Sequence, residues 1–486
     1  MKQLSGIDAA FLHTETATTF GHVASLIVVD PSTSRTGDVY GDVRRAFEQR
    51  LHLLEVYRRK LVADPLGLDQ PYWVDDAELN LDFHLREIAL PRPGHSRQLG
   101  EQIARLVGRP LDRSRPLWEF YVISGLEGGR VGLLNKVHHS TIDGVSGAEL
   151  LNVLLDTERD GGRAEPPAEP WRPERQPTSL ELTWRALAGW ATRPLKVVDL
   201  QLRLWRTAGD LARLPALRRL ALAALPGGRE LAASKQAGQD GGVPARPAPR
   251  TQWNRAVTGH RRFAFRSLSL TDAQTVKRAF GVTVNDVVMA VSASALRRYL
   301  IDHDALPDDP LLAMVPVSVR ASDEAGTFSN RVTGVIAELH TQVADPVERL
   351  LAIHDSMAAA KDVQRAIPAD MLSDITQFAP PAVFALASRM AASVRMADRM
   401  SPPFNVTISN VPGPRQPLYL GGAVMEHFYP VSLVADGLGL NLTVQSYLDN
   451  LDFGVISCRE LVPDLWSLVD HLAEGLDELL RAVPAS

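Results

Sequence analysis

The chain has almost no cysteine: of its 486 residues only Cys458 carries a thiol. A disulfide framework within the chain is excluded, and a reducing, cytoplasmic setting is the expectation. Positive charge is not in surplus either. The net charge is −5, so no global field argues for nucleic acid as a partner. Long apolar runs are missing as well. The best candidate, "ITQFAPPAVFALAS" from Ile375 to Ser388, is too short for a bilayer and holds two prolines, so it reads as a buried helix. The opening "MKQLSGIDAAFLHTETATTF" has no basic stretch followed by an uninterrupted apolar core, and no secretory signal is expected. Lying on a membrane without crossing it stays open.

What is present is the composition of a folded chain, 45% apolar and 22% charged. The length asks for more than one core. Two blocks of mixed strand and helix signals flank a different middle. The first, residues 1–157, holds β-type runs such as "HVASLIVVD" and "VGLLNKV" around helical patterns such as "GDVRRAFEQRLHLL", and closes on the apolar-periodic "GAELLNVLLDT". Residues 158–250 open with the Pro-, Gly- and charge-rich "ERDGGRAEPPAEPWRPERQPTS", a linker or exposed crossover. From Leu180 to Leu225 a helical periodicity follows, with an apolar stripe from Leu187 to Trp205 and many arginines. A stripe of this kind usually packs on its own protein, and a basic amphipathic helix can also bind an anionic membrane. In residues 251–486, "HRRFAFRSLSL" and "LLAMVPVSVR" read as strands, and "TDAQTVKRAFG" as a helix from Thr271 to Gly281. "LGLNLTVQSY" and "LDFGVISC" read as a hairpin, and the last helix sets Leu465, Leu468, Val469, Leu472, Leu476, Leu479 and Leu480 on one face. The fold class is α/β, with two lobes of similar size.

The chemistry concentrates in "NKVHHSTIDGVSG", Asn135 to Gly147, on the connection from an apolar strand to a helix, where functional groups are often held. Four readings compete. A metal site would need His138, His139 and Asp143 together, but neighbouring side chains on an extended segment point in opposite directions, and no HExxH or cysteine partner exists. A serine nucleophile would prefer a G-x-S-x-G elbow, which "GVSG" does not match. A structural reading makes one histidine a satisfied core group and Asp143 a cap or turn residue. The fourth is general base catalysis: a neutral imidazole takes a proton from a hydroxyl as its oxygen attacks an activated carbonyl, worth about 10²–10⁴-fold. Asp143 would then hold the loop through a buried ion pair whose loss costs about 3–5 kcal/mol, and Gly144 would allow the tight turn.

Other motifs follow in order: "LSGIDAAFLHTET" at the start; Pro116, Leu117 and Trp118 in "RPLWEF"; Asn285 and Asp286 in "TVNDVVMA"; Arg320 at the end of "MVPVSVR"; Asn330 in "FSNRVTG"; and "SNVPGP" from Ser409 to Pro414. With "HHSTIDG", this set resembles the bacterial wax ester synthase/acyl-CoA:diacylglycerol acyltransferase family, part of the wider superfamily of CoA-dependent acyltransferases and condensation domains. The resemblance covers nearly the whole chain. One departure is Ser329–Asn330, where the family pattern leads us to expect Gly-Asn. The role of that turn is left open by it.

The resemblance implies two chloramphenicol-acetyltransferase-like lobes with mixed sheets, joined by a long partly helical crossover, with an active-site channel between them. It implies ester formation from acyl-CoA, as substrate rather than cofactor, and diacylglycerol or a long-chain alcohol. His139 would be the base, His138 the orienting residue and Asp143 a structural residue with Arg320 as first candidate partner. Asn285 and Asp286 would support the site from the second lobe, or cap the helix that follows. Pro116 to Trp118 would shape the channel or simply pack a core. No metal is expected. A membrane or lipid-droplet surface is a candidate partner. A related acyltransferase using another alcohol or a carrier-bound acyl group, and a non-catalytic lipid-binding protein, are the alternatives.

Overall fold

The computed structural model describes residues 1–141, 153–161, 171–188, 247–318, 332–365, 389–390 and 392–484. A small antiparallel sheet pairs β4 (Tyr72–Asp75) with β1 (Lys2–Gln3) on one side and β3 (Arg59–Val62) on the other. The first large sheet runs, edge to edge, through β12 (Tyr419–Leu420), β13 (Ala423–Val431), β2 (His22–Asp30), β7 (Val131–His138), β6 (Trp118–Ser124) and β5 (Leu85–Ala89). The second runs through β10 (Val332–Glu338), β9 (Leu312–Ser318), β11 (Val406–Val411), β14 (Leu440–Tyr447), β15 (Asn450–Cys458) and β8 (Arg261–Ser269). Both sheets are mixed: β5 lies parallel to β6, and β11 parallel to β9 and β14.

The second sheet is built wholly from residues after 251, whereas the first borrows β12 and β13 from residues 419–431. The sequence division at 251 did not foresee this crossing. Nothing local in β13 tells which sheet will take it. Its pairing with β2, from Val424↔Asp30 to Val431↔Ala24, is antiparallel and includes a bulge between Met425 and His427.

Strand β7 carries the histidine pair at its end. Every residue from Val131 to His138 is buried, as expected of a central strand covered on both faces. That includes Lys136, whose buried ammonium needs partners. It donates to the carbonyls of Leu106 at 3.2 Å and Arg109 at 2.6 Å, and pairs with Glu119 at 3.3 Å. Burial holds its pKa below the usual lysine value.

In the second lobe the helix Val284–Asp302 is apolar almost all round and is buried between the sheet and the helices Pro346–Arg365 and Leu465–Arg481. The last of these buries Leu465, Leu468, Val469, Leu472, Leu476 and Leu479, the stripe read from spacing. The helix Leu270–Phe280 starts earlier than its pattern suggested. Ser269, not Thr271, is the cap, accepting from Asp272 N–H, while the Thr271 hydroxyl bonds Asp449 Oδ1 at 2.6 Å; Gly281 ends the helix at φ 69°. The hairpin closes as Tyr447↔Asn450.

No single helix among the described residues is long and apolar enough to cross a membrane. The pair Leu270–Phe280 and Val284–Asp302 reaches that composition only jointly, is bent by 104°, and its longer member is core. Of the amphipathic middle only the helix over residues 179–188 falls within the described residues. Leu182 and Ala186 are its buried side; Leu180, Trp184 and Leu187 are exposed at 69%, 66% and 45%. Leu187 therefore departs from the packed stripe expected of it. The rest of that stripe, the Ile375–Ser388 run, Asp143, Gly144, Arg320 and Asn330 lie outside the described residues, as does most of "GAELLNVLLDT".

Candidate active site

Strand pairing brings the first site residues together. In the β2–β7 register His22 stands opposite His138, and on the other side the His138 N–H extends the ladder to the Leu117 carbonyl at 2.9 Å. The Pro-Leu-Trp motif thus holds the end of the histidine strand through its backbone. Its side chains are core. Leu117 is fully buried, and Trp118 stacks between Phe47 (centroids 5.2 Å apart) and His84 (4.3 Å), with its indole N–H donating to the Tyr57 carbonyl at 2.9 Å.

Past His138 the chain turns into a short 3-10 helix, His139–Thr141. Three bonds lock this turn. His139 N–H donates to the Gly21 carbonyl at 2.8 Å, Ser140 N–H to His138 Nδ1 at 3.1 Å, and the Thr141 hydroxyl to the His138 carbonyl at 2.6 Å. His138 Nδ1 is therefore an acceptor, which leaves the ring proton on Nε2. That nitrogen meets Glu15 Oε1 at 3.2 Å. His138 is wholly buried and faces the protein.

His139 points the other way. Its ring stacks on Phe11 of the first helix, Gly6–His13, at 4.0 Å and 17° between planes. Its Nδ1 is buried and has no well-formed hydrogen bond among the described residues. Desolvation, then the neighbouring His138, pull its pKa down to about 4, with only its own backbone acting in the opposite sense. The ring is therefore neutral at physiological pH, as a proton acceptor must be. Within the described residues no cluster of His, Cys, Asp or Glu has the arrangement of a metal site.

Phe11, Glu15 and Gly21 belong to this site and were not singled out from sequence. Glu15 accepts from Gly21 N–H at 2.6 Å and from Arg113 Nε at 3.1 Å. Burial alone would raise its pKa, but the paired His138, the Gly21 amide and Arg113 outweigh burial and hold it to about 2. The segment "LSGIDAAFLHTET" carries no role on its local pattern alone. The register that seats its neighbour His22 against His138 is the signal that could have given it one.

In the second lobe Asp286 completes a capping box with Thr283 and bonds His354 Nδ1 at 2.7 Å. Asn285 Oδ1 accepts from Asn410 of "SNVPGP" at 3.3 Å, joining two motifs across the lobe. No hydrogen bond or ion pair among the described residues joins Asn285 or Asp286 to the histidine pair. Gly413 in the same motif lets the loop after β11 pass against β14: a β-carbon there would lie 1.9 Å from the Ser446 carbonyl oxygen. Asn405 is a structural hub, receiving Leu312 N–H at 2.9 Å and donating to Asn254 at 2.9 Å.

Comparison with known proteins agrees across the whole chain. The family model for the wax ester synthase/diacylglycerol acyltransferase catalytic domain matches residues 4–288, and that for the C-terminal domain of the same family matches residues 328–480. A putative diacylglycerol O-acyltransferase of Mycobacterium tuberculosis is 37% identical over 99% of this chain and 90% of its own length. Another from the same organism is 39% identical over 99% of this chain and all of its own. Among solved structures, a wax ester synthase/diacylglycerol acyltransferase from Marinobacter aquaeolei VT8 superposes with a TM-score of 0.68 at 32% identity, covering 99% of this chain and 100% of the other. The first condensation domain of the calcium-dependent antibiotic synthetase, at 17% identity and a TM-score of 0.54 over 100% and 98% of the chains, shares the two-lobed fold.

Proposed function

The chain belongs to the wax ester synthase/diacylglycerol acyltransferase family, and from that premise we propose that it moves a long-chain acyl group from acyl-CoA to the free hydroxyl of diacylglycerol. His139 is the base. The observation that carries this is its imidazole at the end of β7, kept neutral by a pKa of about 4 and locked through its backbone to Gly21. The acceptor hydroxyl gives its proton to the ring as its oxygen attacks the thioester carbonyl. The carbon–oxygen bond forms, the carbon–sulfur bond breaks, and the imidazolium returns the proton to the leaving thiolate. No acyl-enzyme is needed. His138 orients the turn. Asn285 and Asp286 act from the second lobe by tying "SNVPGP" and the Pro346–Arg365 helix to the Val284–Asp302 helix. The channel is assigned to the space between the lobes.

The test is thiol release by the purified chain given palmitoyl-CoA with diolein or hexadecanol. Release that depends on diolein is the expected outcome. Faster release with hexadecanol moves the acceptor to long-chain alcohols, and none with either defeats the reading in favour of another donor or a lipid-binding protein.

The acceptor is a lipid, so the chain works at a lipid surface. The exposed Leu180, Trp184 and Leu187, with Arg185 exposed between them, support a peripheral contact of residues 179–188 with an anionic membrane or droplet. In sedimentation with phosphatidylglycerol vesicles, Leu180→Glu/Trp184→Glu should lower the bound fraction several-fold. Unchanged binding ends this part of the proposal.

A further inference from the structure

We propose that Glu15 is the positioning residue of the histidine pair, fixing the His138 ring directly and the His139 backbone through Gly21. The role assigned rests on His139 acting as the base.

The carboxylate stands at a junction of four donors. Oε1 takes the Gly21 N–H at 2.6 Å and the proton of His138 Nε2 at 3.2 Å. Oε2 takes Arg113 Nε at 3.1 Å and a second nitrogen of the same guanidinium. Arg113 is itself anchored on the Leu12 carbonyl at 2.7 Å, at the end of the helix whose Phe11 covers His139. One anion therefore ties the first helix, the start of β2 and the end of β7 into a single unit.

Gly21 transmits the constraint. Glu15 binds its N–H, and its carbonyl receives the His139 N–H at 2.8 Å. The peptide has to pass against the His138 ring to do so. A β-carbon at position 21 would lie 2.6 Å from His138 Nε2 and 2.8 Å from the Phe11 carbonyl oxygen, so only glycine fits. The catalytic ring is thus placed by its own backbone, which hangs from Gly21, which hangs from Glu15. Misplacing a reacting group by about 1 Å can cost about 100-fold in rate.

An amide cannot replace the carboxylate. In Glu15→Gln, one orientation of the side-chain amide would turn its NH2 toward the Arg113 guanidinium, and the other would turn it toward the Gly21 N–H and the His138 Nε2–H. Donors oppose donors either way, so both Glu15→Gln and Glu15→Ala test the idea, and the near-isosteric Gln variant preserves the volume if the Ala variant does not fold.

The experiment measures steady-state kinetics with palmitoyl-CoA and diolein, together with hydrogen exchange of the intact chain. Glu15→Gln should lower kcat by about tenfold and Glu15→Ala by about a hundredfold, with both KM values within about twofold. Exchange should quicken at least about tenfold in the segments holding the Gly21 and His139 amides and stay unchanged in the second lobe. Wild-type kcat in Glu15→Gln overturns the proposal. So does a raised KM for palmitoyl-CoA at constant kcat, which would make Glu15 a substrate contact. Unchanged exchange at Gly21 and His139 overturns it too. The exchange arm needs no turnover, so it judges Glu15 even if His139→Ala keeps its rate and the base proves to be elsewhere.

Discussion

Replacing His139 with alanine is expected to cut acceptor-dependent CoA release by about 10²–10⁴-fold, the range a positioned general base supplies. Folding should survive, because the ring's Nδ1 has no hydrogen-bond partner among the described residues and Phe11 is its stacking neighbour. The pH dependence carries the second half of the argument. Burial favours the neutral ring, so its pKa in the folded chain is about 4 against 6.5 for a free imidazole. The acid limb of kcat/KM should therefore fall near pH 4 rather than near 6.5. Phe11→Ala admits water to the ring face and should move that limb upward. The same depression has a stability consequence. Below pH 6.5 the unfolded chain takes up a proton at this position while the folded chain does not, so stability is lost between pH 6.5 and about 4, on the order of 3 kcal/mol in all. His139→Gln lacks that loss and should resist acid better than wild type. A His139→Ala rate within about threefold of wild type would mean that another group takes the proton.

Much of this was legible in the sequence because it is local. The run "VGLLNKV" announces a central strand, "HHSTIDG" marks its end, and the opposite orientation of neighbouring side chains already argues that His138 and His139 do not act as joint ligands. The β14–β15 hairpin and the apolar face of the last helix are likewise short-range patterns. What stayed hidden depends on contacts between distant residues. Glu15 and His138 are 123 positions apart, and Arg113 is 98 from Glu15. An acid in "HTETATTF" looks like a solvated residue until the β2–β7 register brings it to the histidines. Trp118 was ambiguous for a related reason. A tryptophan after proline and leucine suits a channel wall and a core equally, and only its neighbours Phe47, Tyr57 and His84 decide for the core. The helix start is ambiguous in sequence because Thr271 and Ser269 are both good capping residues, and Asp449 on a distant turn claims the Thr271 hydroxyl.

Asp452→Ala should destabilise the chain more than His139→Ala does, because Asp452 lies where the two lobes are joined. It sits on β15 of the second sheet, fully buried, and faces β13 of the first. Its Oδ2 accepts the Phe428 backbone N–H at 2.7 Å; its Oδ1 meets His427 Nδ1 at 3.1 Å and takes the Ser267 hydroxyl, which also lies 2.9 Å from the Tyr429 hydroxyl. Burial, followed by the charge of Asp452, pushes the Tyr429 pKa up. Close by, the strands touch without side chains, since a β-carbon at Gly454 would lie 1.7 Å from the Pro430 carbonyl oxygen. Removing the Asp452 carboxylate strands the buried Phe428 N–H, at about 1–3 kcal/mol, while Ser267 keeps the Tyr429 hydroxyl, so the variant should be about 2 kcal/mol less stable in urea denaturation. Asp452→Asn keeps one acceptor and should lose less. The contrast with His139→Ala is what makes the measurement decisive: a chain whose rate falls at constant stability has lost a chemical group, and one whose rate falls with its stability has lost the alignment of two lobes. A loss below about 1 kcal/mol in Asp452→Ala, close to the range of an ordinary surface change, would mean that packing of β13 alone holds the sheets together.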